Sequence, residues 1–220
     1  MSISTAWLDH CRELARAGGI PPRLHAEPVP ADRPVQSRVS YVEAKAPDWR
    51  RLTELSRLCV EQNQWTNGGP LSLALARIVS HVCDVRDPYR TVMASSGTAA
   101  LYAAAGIFSA KAGKPLRWAI SAFGFAATRT GPFAGMTVAV DCGTDGFLDL
   151  SALEQLPDEA WDGLLVTRVF GLERDMSAYV DFCNERRKPL IVDAALGFPG
   201  PRCVGPHVVE PDVIEIVSFR

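Results

Sequence analysis

The chain has 220 residues, of which 47% are hydrophobic, and its 23 Lys and Arg nearly balance its 25 Asp and Glu, for a formal net charge of −2. A chain of this size and apolar content can bury a core of its own. The charge balance argues against the clustered basic surface that nucleic acids and anionic membranes require. No apolar run approaches the ~20 residues that span a bilayer. Charges interrupt the N-terminal stretch where a signal peptide would be apolar, so we expect a cytoplasmic protein.

Neither the six cysteines nor the four histidines are spaced as metal ligands. No cysteine stands two to four residues from another, which is the spacing typical of zinc sites. The sequence therefore predicts no metal site, and it favours reduced, buried thiols over disulfides because a core of this size does not need them.

Two segments precede the globular part of the chain. Residues 3–17 have apolar residues at helical spacing, and residues 20–40 carry five prolines with little periodicity. We therefore predict an N-terminal helix and proline-rich linker over 1–40, followed by a single domain over 41–220.

From residue 41 onward, helical stretches alternate with short apolar runs. Helices are predicted over 48–61, 71–83, 98–110, 149–156 and 176–186, with a short one near 125–133. Strands are predicted at 91–95, 117–121, 137–141, 163–170, 189–193 and 213–219. This alternation implies right-handed βαβ units and a mostly parallel sheet covered on both faces, which is an α/β three-layer sandwich. Ligands bind such sheets at the carboxyl ends of the strands.

The first polar group at a predicted carboxyl end is Ser96-Gly97-Thr98, which opens a helix. Gly97 lets a ligand approach the backbone, Thr98 offers a hydroxyl, and the first amides of the helix carry partial positive charge. Together they suit a phosphate monoester. Taken alone, the same residues are more simply read as a Ser/Thr N-cap that needs no ligand.

Aromatic, acidic and hydroxyl side chains stand at or just after the ends of three other predicted strands. Phe123 and Phe125 follow 117–121, where an aromatic side chain can lie flat on a planar ring, although two core phenylalanines are the simpler interpretation. Asp193 ends the strand 189–193, where it either caps the next helix or meets a cation such as a pyridine nitrogen. Ser218 adds a hydroxyl after the strand that begins at residue 213.

The order of these features is more specific than any one of them. From WTNGGP through ASSGTAAL, SAFGFAAT, TVAVD, VTRVFGLERDM and VDAALGFPG to VSF, residues 65–219 resemble the DegT/DnrJ/EryC1/StrS family. These are pyridoxal-phosphate (PLP) aminotransferases of fold type I, and most act on nucleotide-linked keto sugars. The resemblance implies the large domain of that fold, without the small C-terminal domain that family members carry.

The resemblance also implies roles for individual residues. Gly97, Thr98 and Ala99 match the family's phosphate-binding helix start, and Ser218 matches a serine that contacts the phosphate. Phe125 matches the aromatic residue that stacks on the pyridine ring. Asp193 matches the carboxylate that pairs with the pyridine nitrogen. In addition, the loop that borders the sugar site is matched by Thr66, Asn67 and Gly68, with Gly69 next to them.

The chain departs from the family pattern at three positions. Leu196 stands where the family has a glutamine or histidine that hydrogen-bonds the ring hydroxyl, and Arg168 stands where a histidine is common. Arg220 stands where a histidine follows serine-phenylalanine, and the family's Schiff-base lysine comes three residues later. Lys111, Lys114 and Lys188 do not match that position and are read as solvated surface residues. The sequence therefore offers no catalytic residue.

Two interpretations follow for the chain. In the first, it is part of a PLP-dependent aminotransferase that moves an amino group from glutamate or glutamine to a nucleotide-linked keto sugar, and it is inactive alone if it truly ends at residue 220. We favour a fragment of a longer reading frame, because the chain stops inside a motif. In the second, it is a non-catalytic module that acts as a dimer partner or regulatory subunit. The resemblance implies a homodimer for the full protein.

Overall fold

A computed structural model of the chain describes residues 48–83, 85, 91–172, 174–198 and 212–219. The helix predicted over 3–17 and the linker predicted over 20–40 lie outside the described residues. The chain divides into two compact units, Met1–Val79 and Ser80–Arg220. The domain division predicted at residue 40 stays a prediction.

The described part of the first unit consists of two helices and the turn that joins them. Helix α1 spans Trp49–Glu61 and helix α2 spans Pro70–Val82, as the sequence predicts. Asp48 caps α1 by accepting a hydrogen bond from the Arg51 amide at 3.0 Å. Helix α2 begins at a proline, which suits a position where the backbone N–H has no partner within the helix. The boundary between the units falls near the end of α2.

The second unit is built on a five-stranded sheet in which every neighbouring pair is parallel. Its strands are β1 (Trp118–Ser121), β2 (Thr137–Val140), β3 (Gly163–Thr167), β4 (Leu190–Asp193) and β5 (Val213–Ile216). Their order in the sheet is β2-β1-β3-β4-β5. The chain first moves from β1 to one side and then crosses to the other, so a crevice opens at the carboxyl ends of β1 and β3.

Helices cover both faces of the sheet. They are α3 (Gly97–Ala112), α4 (Leu150–Glu154) and α5 (Ser177–Glu185). Side chains alternate along each strand, so Leu164 and Val166 of β3 enter one core while Leu165 enters the other. The first core contains residues of α4 and α5, and the second contains residues of α3. The α/β three-layer sandwich predicted from the sequence is therefore confirmed.

Helix α3 runs from the carboxyl edge of the sheet to its amino edge. It ends at Gly113, whose φ of 69° is favourable for glycine and whose amide donates to the Ala110 carbonyl at 3.3 Å. Strand β1 begins shortly afterwards at Trp118. The N-terminus of α3 therefore lies at the edge where the parallel strands end.

The prediction of a strand at residues 91–95 is wrong. Residues 91–94 have no strand conformation and no neighbouring strand among the described residues. Val92 is 84% exposed, so the run is apolar without belonging to the core. A short apolar run predicts a strand only when another strand is available to satisfy its backbone groups.

Three other predicted elements are shorter than expected. The helix predicted near 125–133 is two short 3-10 turns, Ala126–Arg129 and Gly131–Phe133, with Gly131 at a φ of 55° where the second begins. Strand β3 ends at Thr167, and the next residues form a 3-10 turn in which Phe170 has a φ of 52°. Strand β5 ends at Ile216 instead of residue 219. Each change places turn residues at the carboxyl edge.

Candidate functional site

Four of the predicted site residues lie at the carboxyl edge of the sheet. Three of them begin helix α3, and the fourth, Ser218, follows β5. A Cβ placed on Gly97 would lie 3.5 Å from the Ser218 Cβ and 3.7 Å from its Oγ. The same Cβ would lie 4.0 Å from the Cβ of Ala195, in the turn that follows β4. The structure therefore brings the start of α3, which holds Gly97, Thr98 and Ala99, next to Ser218 and to the turn after Asp193.

The start of α3 combines an N-cap with amides that point out of the helix. Ser96 is the N-cap, and its hydroxyl accepts a hydrogen bond from the Ala99 amide at 3.1 Å. The capping interpretation is thus correct, and it uses one of the four amides that lack a partner within the helix. The amides of Gly97 and Thr98 precede it and keep the partial positive charge of the helix start. Capping and anion binding are compatible at this site.

Asp193 is a buried carboxylate at the end of a central strand. It is 4% exposed, and its Oδ1 accepts a hydrogen bond from the Ala195 amide at 3.2 Å. Ile191, two residues earlier in β4, belongs to the core that contains α3. Because side chains alternate along a strand, Asp193 faces the same side of the sheet as α3. The carboxylate therefore lies on the side where the helix start and Ser218 meet.

The aromatic residues after β1 are exposed. Phe123 is 52% exposed and Phe125 is 57% exposed, so the interpretation of both as core residues is wrong. The Phe125 carbonyl accepts hydrogen bonds from the Thr128 amide at 3.1 Å and from its hydroxyl at 2.8 Å, which hold the backbone of the turn. The ring of Phe123 packs at an angle against Phe170, with 5.9 Å between centroids. The edge thus presents aromatic rings that core packing does not occupy.

Sequence reasoning gave no role to Thr167 and Arg168, which follow the apolar part of β3. Thr167 pairs in register with Asp193, and its Oγ1 would lie 3.1 Å from a Cβ on Gly124. Arg168 is 4% exposed, and its Nε donates to the Leu172 carbonyl at 2.7 Å. Its amide donates to the Asp193 carbonyl at 2.8 Å. Thr167 is a polar residue at the end of an otherwise apolar strand, as Asp193 is in β4. This sequence pattern could have identified it.

Leu196 lies in the turn after β4 and is 43% exposed. Its carbonyl oxygen would clash with a Cβ on Gly171, so the turns after β3 and β4 pack closely. Gly171 has a φ of 71°, which also favours glycine. The apolar side chain at position 196 is therefore presented by two closely packed turns.

The predicted sugar-site residues lie in the first unit, where they form an exposed turn between α1 and α2. The Gly69 amide donates to the Thr66 carbonyl at 2.9 Å, and Gln64 Nε2 donates to the Asn67 carbonyl at 3.3 Å. Gly68 has a φ of 69°. Thr66, Asn67 and Gly68 are all exposed. None of the other predicted site residues belongs to this unit.

Membrane and metal features are absent from the ranges that the structure describes. No helix within them combines the length and apolarity needed to cross a bilayer. No group of three or more His, Cys, Asp and Glu side chains within them is arranged to hold a metal ion.

The fold described above is that of the large domain of PLP-dependent transferases of fold type I. The family model of the DegT/DnrJ/EryC1/StrS aminotransferases matches residues 50–220. The chain therefore belongs to this family.

Solved structures share the fold at low sequence identity. 3-Amino-5-hydroxybenzoic acid (AHBA) synthase is 23% identical with a TM-score of 0.60, and the match covers 82% of this chain and 46% of that one. DesI, solved in the presence of its TDP-sugar product, is 23% identical with a TM-score of 0.55, covering 68% and 38%. The sugar aminotransferase CalS13 from Micromonospora echinospora is 22% identical with a TM-score of 0.54, covering 70% and 42%. The chain thus spans less than half the length of these proteins.

Proposed function

We propose that this chain is the cofactor-binding part of a PLP-dependent aminotransferase that transfers an amino group from glutamate or glutamine to a nucleotide-linked keto sugar. Its membership of the aminotransferase family supports the reaction class. The observation that carries the site is the close approach of Ser218 to Gly97, beside the turn that follows Asp193. It places three groups at one edge of the sheet. They are a buried carboxylate, a hydroxyl, and a helix start whose first residue is glycine.

These residues fit the phosphate end of the cofactor. A ligand phosphate would lie at the amides of Gly97 and Thr98, where the helix start favours negative charge. Ser218 would donate its hydroxyl from the end of β5. The Ala99 amide already donates to Ser96. Ala99 would therefore act only as part of the helix start, whose partial positive charge favours the phosphate. A Cβ at position 97 would reach into this space, so the glycine keeps it open for the phosphate.

Asp193 and Phe125 fit the ring of the cofactor. The Asp193 carboxylate would face the pyridine nitrogen and hold a proton on it, because an adjacent negative charge favours the protonated form. Phe125 would cover one face of the ring with its exposed side chain. When bound, the cofactor supplies an electron sink for the substrate carbon that exchanges its amino group.

The proposed substrate and assembly rest on relatives. DesI was solved with a TDP-sugar product and CalS13 is a sugar aminotransferase, which supports a nucleotide-linked sugar substrate. We assign the sugar-bordering loop to Thr66, Asn67 and Gly68, whose exposed turn has backbone and side-chain polar groups available. We further propose a homodimer in the cytoplasm, as for the family.

Binding of pyridoxamine 5′-phosphate tests the site, because this ligand binds without a covalent bond to the protein. We expect saturable binding that falls more than tenfold in Gly97→Val, because the branched side chain fills the space beside Ser218. The matched control is Gly106→Val, in the same helix, where a Cβ has no atom within 4 Å. Ser218→Ala should weaken binding by about fivefold, the effect of losing one hydrogen bond.

The binding test can fail in two ways. Absence of saturable binding to the wild-type chain would contradict the proposed cofactor. Equal losses in the Gly97 and Gly106 variants would contradict the position of the phosphate, because a general effect on helix α3 would then explain both.

A second candidate is a non-catalytic module that serves as a dimer partner or regulatory subunit. The exposed Leu196 favours it, because this side chain has no polar group to offer a ring hydroxyl. Large apolar side chains also crowd the same edge and are 43–73% exposed, namely Phe123, Phe125, Phe170, Leu172, Leu196 and Phe219. Sedimentation velocity combined with the ligand-binding measurement discriminates the two candidates. A stable complex without any pyridoxamine 5′-phosphate binding supports the module.

A further inference from the structure

Phe170 is a bulky residue in a strained backbone conformation. Its φ is 52° and its ψ is 17°, in the left-handed region that bulky side chains rarely adopt. Asparagine or glycine would adopt this conformation at a lower cost, so the turn does not need phenylalanine for its shape. Burial does not explain the side chain either, because it is 73% exposed. Such strain persists only where the surrounding structure imposes it, and it is concentrated at functional sites.

The neighbours of this residue hold the turn in place. Val169 is 5% exposed and packs on the loop after β2, where a Cβ on Gly146 would lie 3.6 Å from its side chain. The Leu172 amide donates to the Val169 carbonyl at 3.0 Å, and the Leu172 carbonyl accepts from Arg168 Nε at 2.7 Å. The Arg168 guanidinium in turn lies so close to Gly197 that a Cβ there would clash with it. The surrounding contacts therefore fix the strained residue from both sides.

The ring of Phe170 pairs with the ring of Phe123. Their centroids are 5.9 Å apart, and their planes are inclined by 60°. Phe123 follows β1 and Phe170 follows β3, and these strands are neighbours, so the two turns meet at the carboxyl edge. Both rings are more than half exposed. This aromatic pair, Phe123 and Phe170, therefore presents ring surface to solvent instead of to a core.

The aromatic pair lies beside the proposed cofactor site. Phe125, which we propose to cover the cofactor ring, comes two residues after Phe123 in the same turn. The proposed phosphate position is at the end of β5, and Asp193 ends β4. Because β1 and β3 lie on the other side of β4, the aromatic pair is at the side of the site away from the phosphate. A substrate that reaches the cofactor from this side meets the two rings.

We propose that the aromatic pair binds the base of the nucleotide-linked substrate by stacking. This inference rests on the proposed function. A planar base covers the face of an aromatic ring, and such stacking needs no particular hydrogen-bond pattern. Two rings offer the area for one planar group, whereas a stable interface between two protein chains buries about 800 Å² on each partner. The size of the pair therefore favours a base over a second copy of this chain.

Binding of thymidine 5′-diphosphate (TDP) tests this proposal, and inorganic pyrophosphate is the matched probe that lacks the base. Both are titrated by calorimetry into the chain saturated with pyridoxamine 5′-phosphate, which keeps them out of the proposed phosphate position. We expect Phe170→Asn to weaken TDP binding by about five- to a hundredfold, the effect of losing one stacked base, and to change pyrophosphate binding by less than about twofold. Phe123→Ala should act in the same direction.

Stability separates a binding role of the ring from a packing role. Asparagine adopts the left-handed conformation more readily, so the urea midpoint of Phe170→Asn should stay the same or rise while TDP binding falls. Phe170→Tyr keeps the ring and should keep the TDP affinity. Leu172→Ala is the matched control, because it removes a half-exposed apolar side chain from the same turn and should leave TDP binding unchanged.

Three results would overturn the inference and leave the proposed cofactor site intact. The first is a chain that binds pyridoxamine 5′-phosphate but binds TDP no more tightly than pyrophosphate. The second is an equal loss of TDP binding in Phe170→Asn and Leu172→Ala. The third is unchanged TDP binding in Phe170→Asn with a loss of self-association in sedimentation velocity, which would assign the pair to a second copy. Absence of pyridoxamine 5′-phosphate binding would overturn the proposed site itself, and the inference with it.

Discussion

The two edges of the parallel sheet use charged and aromatic side chains in different ways. At the amino edge, charges meet partners within the protein. Lys114 pairs with Asp162 at 2.8 Å, Lys111 pairs with Asp212, and Lys188 lies 3.6 Å from the centre of the Trp161 ring.

The carboxyl edge has the opposite character. Arg168 is buried there without a described carboxylate partner, and aromatic rings such as Phe125 and Phe170 are more than half exposed. The amino edge can therefore be understood from folding alone. We propose that the groups at the carboxyl edge bind a ligand, so substitutions at the two edges should separate stability from binding.

The largest expected effect is on stability, at Trp161 of the amino edge. Its side chain is 2% exposed and stacks on Phe182 at 6.2 Å between centroids. Trp161→Ala should lower the free energy of unfolding by about 3–5 kcal/mol because it leaves a cavity. Urea denaturation measures this loss, and binding of pyridoxamine 5′-phosphate to the folded fraction should not change.

A matched variant at the same position separates packing from hydrogen bonding. The Trp161 Nε1 is buried and has no hydrogen-bond partner among the residues that the structure describes. Trp161→Phe keeps an aromatic ring and removes this group, so it should cost less than half as much stability as Trp161→Ala. Equal losses in the two variants would contradict the account.

The next effect is on binding, at Asp193 of the carboxyl edge. Asp193→Asn keeps an oxygen that can accept from the Ala195 amide, so this hydrogen bond should survive and the variant should still fold, as urea denaturation can check. Loss of the charge opposite the ring nitrogen should weaken binding of pyridoxamine 5′-phosphate by about 2 kcal/mol, measured by calorimetry. Asp149→Asn is the control, because Asp149 caps α4 in a similar way. A larger binding loss in the control would contradict the site.

A smaller effect on stability is expected at Lys188. Its side chain is 14% exposed, and its Nζ donates to the Trp161 carbonyl at 3.0 Å. Lys188→Met should therefore cost about 1–2 kcal/mol of unfolding free energy. Lys111→Met, at an exposed ion pair, should cost less than about 1 kcal/mol. Ligand binding should be unchanged in both, and a loss of binding in either would break the separation of the two edges.

The smallest effect is a pH dependence at Cys183, whose carbonyl accepts the Lys188 amide. Burial raises the pKa of the Cys183 thiol from 9.0 to about 12, an effect that the nearby Arg186 and Lys188 charges partly oppose. The folded chain thus keeps a proton that the unfolded chain loses. This stability is fully present below pH 9 and decreases as the pH rises towards 12.

Denaturation as a function of pH measures this contribution. Between pH 9 and 10, the wild-type chain should lose about 1 kcal/mol more stability than Cys183→Ala. Parallel curves for the two proteins would show that the thiol does not titrate differently on folding.

The sheet and most helices could be predicted because their signals are local. Apolar runs such as GLLVT and LIVD alternate with helical stretches, and this pattern alone requires a covered parallel sheet. Residues 91–94 show the limit of this reasoning, because their apolar side chains do not reveal whether a neighbouring strand exists. Lys188 shows another limit. Its interpretation as a solvated surface residue is wrong, because Trp161, distant in sequence, covers it.

The candidate site was predictable as a set of positions but not as a set of contacts. Gly97, Asp193 and Ser218 were found because each follows a strand or opens a helix, and parallel strands end at one edge. The packing of Arg168 on Gly197 joins turns from different strands, so no local pattern reports it. A glycine that is not needed for backbone conformation becomes informative only when the neighbouring side chain is known.

We propose that the carboxyl edge of the sheet binds a pyridoxal-type phosphate. Amide chemical-shift mapping of the ¹⁵N-labelled chain during titration with pyridoxamine 5′-phosphate tests it most directly. We expect saturable shifts centred on Gly97, Thr98, Ala195 and Ser218, with the amides around Trp161 unchanged. Shifts centred on the amino edge, or no shifts at saturating ligand, would contradict it.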